Sequence, residues 1–326
     1  MNPLMSNCVN IYRREGNNMR KRPSLLLAVG LVVLIGLVFL GAKYGPAMLD
    51  NNHAIPPAEN VDPSAEPDET QHPEEPVEPE PGDPDTPSQE PETPDEPTGS
   101  LSNAKMSWYF TRNSNHQVPA IPNEAKIITK YRGMYVGDTS RRVVYLTFDN
   151  GYENGYTTPI LDALRDNQVK ALFFVTESYI NRNPEIIKRM VAEGHAVCNH
   201  TSTHPSMPDI SDSQIENEIR KTEEAFQRVT GTRMPPYLRP PSGEYSERTL
   251  AVTRNLGYST VFWSMAFKDW DVNNQPGADY SYNHVMTNVH PGAIILLHAV
   301  SSSNAEAMDR ILKDLKAEGY EFSLLP

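Results

Sequence analysis

Short apolar runs rich in β-branched and aromatic residues recur through the last two thirds of the chain. They lie at 143–148, 171–175, 195–198, 258–263 and 293–297. Helical patterns separate them. Ser211 and Gln214 form a capping-box signature ahead of Ile215, Ile219, Phe226 and Val229, with Gly231 as a stop. Asn304 is placed to cap a last helix carrying Met308, Ile311, Leu312 and Leu315, with Gly319 beyond it. Strands that alternate with helices predict an α/β domain around a parallel sheet. About 225 residues suffice for a single barrel.

Two other zones precede this domain. Residues 24–42 read SLLLAVGLVVLIGLVFLGA, without a charge. That is close to the ~20 residues a helix needs to cross a bilayer. Arg13, Arg14, Arg20, Lys21 and Arg22 flank it on the N-terminal side, which predicts a cytoplasmic N-terminus and an exported C-terminus. The apolar run exceeds the ~7–15 residues of a signal-peptide core, and no clear small-x-small site follows it. The reading is an uncleaved single-pass anchor, with Met19 as an alternative start. From 51 to 100 the chain holds 13 of its 29 prolines and 15 Asp and Glu, with no Lys or Arg. Such a stretch cannot bury enough surface to offset its ordering entropy, so it reads as a disordered spacer. Extended at ~3.1 Å per residue, it spans at most roughly 150 Å.

The expected organisation is therefore a cytoplasmic segment 1–23, an anchor 24–42, a Pro/Glu-rich linker 43–105 and a globular domain 106–326 outside the cytoplasm. The spacer carries −15 against −13 for the whole chain, so the remainder is near +2. No basic patch argues for nucleic acid. Cys8 and Cys198 are the two cysteines. On this topology they lie on opposite sides of a membrane, which argues against an intrachain disulfide.

In parallel barrels, reactive groups gather at the C-terminal ends of strands. Here the runs end in Asp149-Asn150-Gly151, in Asn199 to His204, in Lys268-Asp269-Trp270 and in His298, with Arg239-Pro240-Pro241-Ser242-Gly243 between them. Imidazoles four apart, His200 and His204, can point at one ion if their segment turns helically. Plainer readings exist. The histidines could be exposed or capping, Asp149 could cap a helix after Tyr156, and Arg239 could make a surface salt bridge.

Taken together, these residues resemble the polysaccharide deacetylase family, the NodB-homology or carbohydrate esterase family 4 group. Its five motifs stand in order: Thr147-Phe148-Asp149-Asn150-Gly151, His200 to His204, Arg239 to Gly243, Asp269-Trp270, and Ile295-Leu296-Leu297-His298. Ala266 replaces the first Asp of the fourth motif, and Asn150 replaces the usual second Asp of the first. The string from Thr147 to Thr157, with Ser107 to Phe110 and Phe262 to Phe267, looks like the delta-lactam-biosynthetic de-N-acetylases of spore formers. The likeness covers 101–326.

The resemblance implies a distorted (β/α) barrel of seven strands and a monomeric catalytic domain. It implies hydrolysis of an acetamide with a divalent metal, zinc first, held by His200, His204 and Asn150. Asp149 looks like the general base, His298 the general acid, Arg239 the residue that tunes Asp149, and Asp269 the partner of His298. The Ser242 N–H would bind the oxyanion, and Trp270 and Leu296 would wall the acetyl pocket. A neutral Asn150 oxygen should lower metal affinity. The expected substrate is peptidoglycan, N-acetylmuramic acid on the route to muramic delta-lactam in spore cortex. The alternatives are an N-acetylglucosamine deacetylase and a silent wall-binding module on a stalk.

Overall fold

The computed structural model describes residues 97–326. The expected anchor, the two N-terminal segments around it and nearly all of the acidic spacer lie outside the described residues. Among those described, no helix is long and apolar enough to cross a membrane.

In chain order the elements are β1 (Met106–Ser107), β2 (Val143–Asn150), α1 (Thr157–Asp166), β3 (Leu172–Val175), α2 (Glu177–Arg182), α3 (Pro184–Ala192), β4 (Ala196–Asn199), α4 (Asp212–Thr230), β5 (Tyr237–Leu238), β6 (Glu244–Tyr245), α5 (Glu247–Asn255), β7 (Ser259–Thr260), α6 (Ala278–Asn288), β8 (Ala293–His298), α7 (Ser302–Ala317) and β9 (Glu321–Phe322). β1 and β6 form a small antiparallel pair. The other seven strands form one sheet in the order β7-β5-β4-β3-β2-β8, with β9 also on β2. Every pairing in it is parallel. The result is a curved parallel half-barrel. Between its ends, an isolated bridge from Met265 to Ile295 carries the chain after β7 onto β8. The strand number matches the expectation, but β5, β7 and β9 have two residues each. The barrel is correspondingly distorted.

The alternation along the strands decides which side chains meet. In β2, Val144, Leu146 and Phe148 join the large cluster beneath the helices, with Ile160, Leu161 and Leu164 of α1 and Ile311, Leu312 and Leu315 of α7. Val143 and Tyr145 face the opposite way, with Leu172, Phe174, Cys198, Val261 and Ile294. Period-two geometry places Asp149 on that second face, with His298 and Leu296 of β8. All eight residues of β2 are buried, as a strand covered on both faces requires.

Helix ends follow the local chemistry closely. α4 starts with the capping box of Ser211 and Gln214 and stops at Gly231, whose φ is 72°. α7 departs from expectation. Its cap is Ser301, whose hydroxyl accepts from the Asn304 N–H, so the Asn304 side chain is released for another task. Residues 98–105, read as the end of the linker, are held to the domain. The Thr98 hydroxyl donates to Asp212 at 2.6 Å, and the Ser246 hydroxyl to Asn103 at 2.9 Å.

Candidate active site

The site lies where β2, β4, β5 and β8 end. Parallel register makes Asp149 the neighbour of His298 across β2 and β8, though 149 residues separate them in the chain. It likewise sets Asn199 against Leu238, so that His200 and Arg239 emerge side by side.

Arg239 is fully buried and donates to Asp149 Oδ1 at 2.7 Å. Its guanidinium carbon lies 4.0 Å from the centre of the Phe174 ring and 5.7 Å from that of Trp263, and Nε donates to the Val261 carbonyl. The plainer readings of a surface ion pair and of a capping Asp149 are both excluded: the pair is interior, and α1 begins at Thr157 with Tyr156 as its cap. Burial works against charge on Asp149, but Arg239 first, then His200 and His298, hold its carboxyl below the usual range.

His200 Nδ1 lies 2.8 Å from the Arg239 carbonyl. A carbonyl accepts, so Nδ1 carries the proton and Nε2 keeps its lone pair. That Nε2 is 3.5 Å from Asp149 Oδ2. The His204 ring stands edge-on to His200 with centroids 4.8 Å apart. The segment does not turn helically, contrary to expectation. It is a loop in which Thr201 and His204 take left-handed backbone angles, φ 65° and 61°. Non-glycine residues there are strained, and such strain collects at functional sites. Burial, then the neighbouring imidazole, pushes His204 down to about 4. Burial also lowers His200. Both imidazoles are therefore neutral near pH 7 and free to act as ligands.

His298 Nδ1 lies 2.7 Å from Asp269 Oδ1, and its backbone N–H donates to Oδ2 at 2.8 Å. Burial alone would depress His298, but Asp269 and then Asp149 outweigh it, and its pKa is raised. Asp269 is itself fully buried and accepts from the Asn304 side-chain amide at 2.6 Å. Ala266 contributes its carbonyl to Arg112 at 2.8 Å. Arg239 takes its support from the Phe174 and Trp263 rings and the Val261 carbonyl, besides Asp149.

Asn150 is buried, donates to the Thr157 hydroxyl at 3.4 Å, and has no hydrogen-bond partner for its Oδ1. Among the described residues, no group of three or more His, Cys, Asp and Glu is placed to hold a metal. The donors at hand are two neutral imidazoles and an orphaned carboxamide oxygen. That set fits a divalent cation, and it lacks the charge that would hold one tightly.

Ser242 is exposed in a left-handed turn (φ 56°) directly after Arg239. Leu296 is buried on the same face as His298. Trp270 is 41 % exposed, outside the buried cluster, with Lys268 5.1 Å from its ring centre. Sequence reasoning missed Asn304, read as a cap, and Phe174, read as core. Of the group Glu153, Thr157 and Tyr179 behind Asn150, the sequence points to Glu153, which with Tyr152 and Asn154 follows the first motif and can rebuild the hydrogen-bond network there; it missed Thr157 and Tyr179.

A half-barrel with an Arg-held Asp opposite an Asp-held His, beside paired imidazoles, defines a hydrolase of the acetamide-cleaving type. The polysaccharide deacetylase model matches residues 136–261, and the chain belongs to that family, the family 4 carbohydrate esterases. It is an N-deacetylase. The chain is 46 % identical over 224 residues to the peptidoglycan-N-acetylmuramic acid deacetylase PdaA of Bacillus subtilis, covering 68 % of this chain and 85 % of that one. The solved structure of PdaA, described as a family 4 carbohydrate esterase, superposes with a TM-score of 0.67 at 46 % identity, over 69 % of this chain and 96 % of the solved chain. A 30.6 kDa protein of Geobacillus stearothermophilus is 47 % identical over 229 residues, 70 % of this chain and 86 % of its own. A peptidoglycan-N-acetylglucosamine deacetylase of Bacillus cereus is 35 % identical over 203 residues, 61 % of this chain and 72 % of its own.

Proposed function

We propose that the protein removes the N-acetyl group from amino sugars of peptidoglycan, and that its preferred unit is N-acetylmuramic acid, on the route to muramic delta-lactam in spore cortex. One observation carries the chemistry: Asp149 and His298 are strand neighbours of opposite proton-transfer character. Arg239 keeps Asp149 ionised, ready to accept the proton of an attacking water. Asp269 raises the proton affinity of His298, and because Nδ1 is bound to Asp269, Nε2 is the atom that delivers a proton to the departing sugar nitrogen. His200, His204 and Asn150 would hold a divalent metal, zinc by the nature of the imidazoles. When bound, such an ion polarises the acetyl carbonyl and lowers the pKa of the attacking water. The Ser242 N–H is assigned to the oxyanion, and Leu296 and Trp270 to the acetyl pocket.

The preference for muramic acid is supported by the likeness to PdaA and by the first motif with Asn150. The lower identity to the glucosamine deacetylase agrees with it. The apolar run at 24–42 and the acidic spacer support a place on the outer face of the cell membrane, as a monomeric domain reaching glycan strands. The test is mass spectrometry of muropeptides after incubation with intact and peptide-free glycan side by side. Loss of 42 Da, about the mass of an acetyl exchanged for hydrogen, is expected on muramic acid in the peptide-free glycan. Asp149→Asn and His298→Ala should each slow it by about 10²–10⁴-fold. Loss of acetyl from glucosamine alone would replace the muramic reading with the runner-up.

A further inference from the structure

Behind Asn150 lies a chain of hydroxyls that ends on Glu153. Glu153 Oε1 accepts from the Gly155 N–H at 2.7 Å and from the Thr157 N–H at 3.4 Å. Its Oε2 accepts from the Thr157 hydroxyl at 2.5 Å and from the Tyr179 hydroxyl at 2.8 Å. All four neighbours are donors, and a carboxylate has only acceptors to offer them. The direction of every hydrogen bond follows. Thr157 spends its one hydrogen on Glu153, so its oxygen meets Asn150 only as an acceptor. The Tyr179 hydroxyl, 3.1 Å from the same oxygen, also spends its one hydrogen on Glu153 and so offers none to Thr157. The end of the Asn150 carboxamide that touches Thr157 must therefore be the NH₂. The opposite end, Oδ1, is buried and lacks a hydrogen-bond partner.

We propose that Glu153 is a positioning residue which, acting through Thr157, orders the Asn150 carboxamide so that its oxygen rather than its NH₂ faces the site. An amide is close to symmetric in shape, and nothing steric distinguishes its two ends. A chain carrying Asn where a carboxylate would present oxygen in either orientation needs such a device. With the NH₂ turned inward, the site would meet a cation with two N–H dipoles of the wrong sign. The inference rests on the assignment of Asn150 to the cation site, and it adds the residue that makes a neutral side chain usable there.

Glu153→Gln is the discriminating variant. Gln must keep its oxygen toward the two backbone N–H groups, which leaves its NH₂ facing Thr157 and Tyr179. Thr157 then accepts from Gln and donates to Asn150, reversing the amide. In the full chain labelled with [15N]asparagine, the Asn150 side-chain amide protons should show a nuclear Overhauser contact to the Thr157 methyl in the wild type. The signal is assigned by its loss in Asn150→Ser. The contact should disappear in Glu153→Gln. Affinity for Zn²⁺ alone, measured against a chromophoric chelator, should fall about two- to tenfold, the worth of one ordinary hydrogen-bond energy. Thr157→Val should repeat the loss of Zn²⁺ affinity, and Thr157→Ser should keep that affinity. A contact that survives in Glu153→Gln overturns the proposal, whatever the metal does. If the contact is lost but the wild type binds no Zn²⁺, the orientation stands and the cation reading falls.

Discussion

Asp149 and His298 sit on neighbouring strands, the first buried and the second half-buried, yet their proton affinities are pulled in opposite senses. Arg239 lowers the first and Asp269 raises the second, each against its burial. On the proposed mechanism, Asp149 acts bare and His298 protonated. Activity therefore falls as pH drops through the depressed Asp149 value, below 3.8, and as pH rises through the raised His298 value, above 6.5. The same shifts act on stability. The Asp149 contribution is present above its unfolded value and is lost on acidification through the folded one. The His298 contribution is full below 6.5 and is lost as pH rises through its folded value. Asp269→Asn removes the largest raising influence on His298 while its burial remains. The alkaline limb of kcat/KM should move down by about 1–2 pH units, with the acid limb unmoved. An unmoved alkaline limb would deny His298 its role as the acid.

Among the elements, the turn after Arg239 is closely constrained. Gly243 has φ 65°, and a Cβ built on it would stand 2.8 Å from Trp263 Cη2 and 3.2 Å from Trp108 Cβ. Trp108 in turn stacks on Phe262 at 4.5 Å and donates to the Trp263 carbonyl. Gly243 thus lets one wall of the barrel close on the loop that carries Arg239 and Ser242. Gly243→Ala should destabilise the fold by about 1–3 kcal/mol and shift Trp263, which packs on the Arg239 guanidinium. Thermal melting and kcat should fall together. A variant with full activity and an unchanged melting curve would show that the turn has slack. Long strands and capped helices were legible: β2 and β8 from their apolar runs, α4 from Ser211 and Gly231. The two-residue strands β5 and β9 were not, because two residues carry no period. Asn304 was misread because a polar residue at a helix start has two plausible partners, and only the fold reveals Asp269 opposite it.

On the scale of the whole chain, charge and chemistry are segregated. The spacer at 51–100 holds −15 and the remainder is near neutral, so the acidic character belongs to the tether. The proposed topology predicts that the full chain sediments with membranes and is released by detergent but not by high salt. Replacing Leu34, near the middle of the apolar run, with Arg costs about 2.5–3.5 kcal/mol of insertion and should shift the protein to the soluble fraction. Release by salt alone would point to a peripheral contact instead of a span.

What the amino-acid order determined by itself was the kind of groups available and the fold that would carry them. Apolar runs of strand length, separated by capped helices, leave little choice but a parallel sheet, and such a sheet exposes reactive groups at one edge. It also determined that Asn150 and Ala266 depart from the usual pattern. Only the tertiary structure decided how those departures are accommodated. Register makes Asp149 and His298 neighbours, and burial makes their partner charges count, since a charge held away from water feels its neighbours far more strongly. Arg239 is held by Asp149, by two ring faces and by the Val261 carbonyl. These relations join residues remote in the chain, and no local pattern encodes which distant side chain will be within reach.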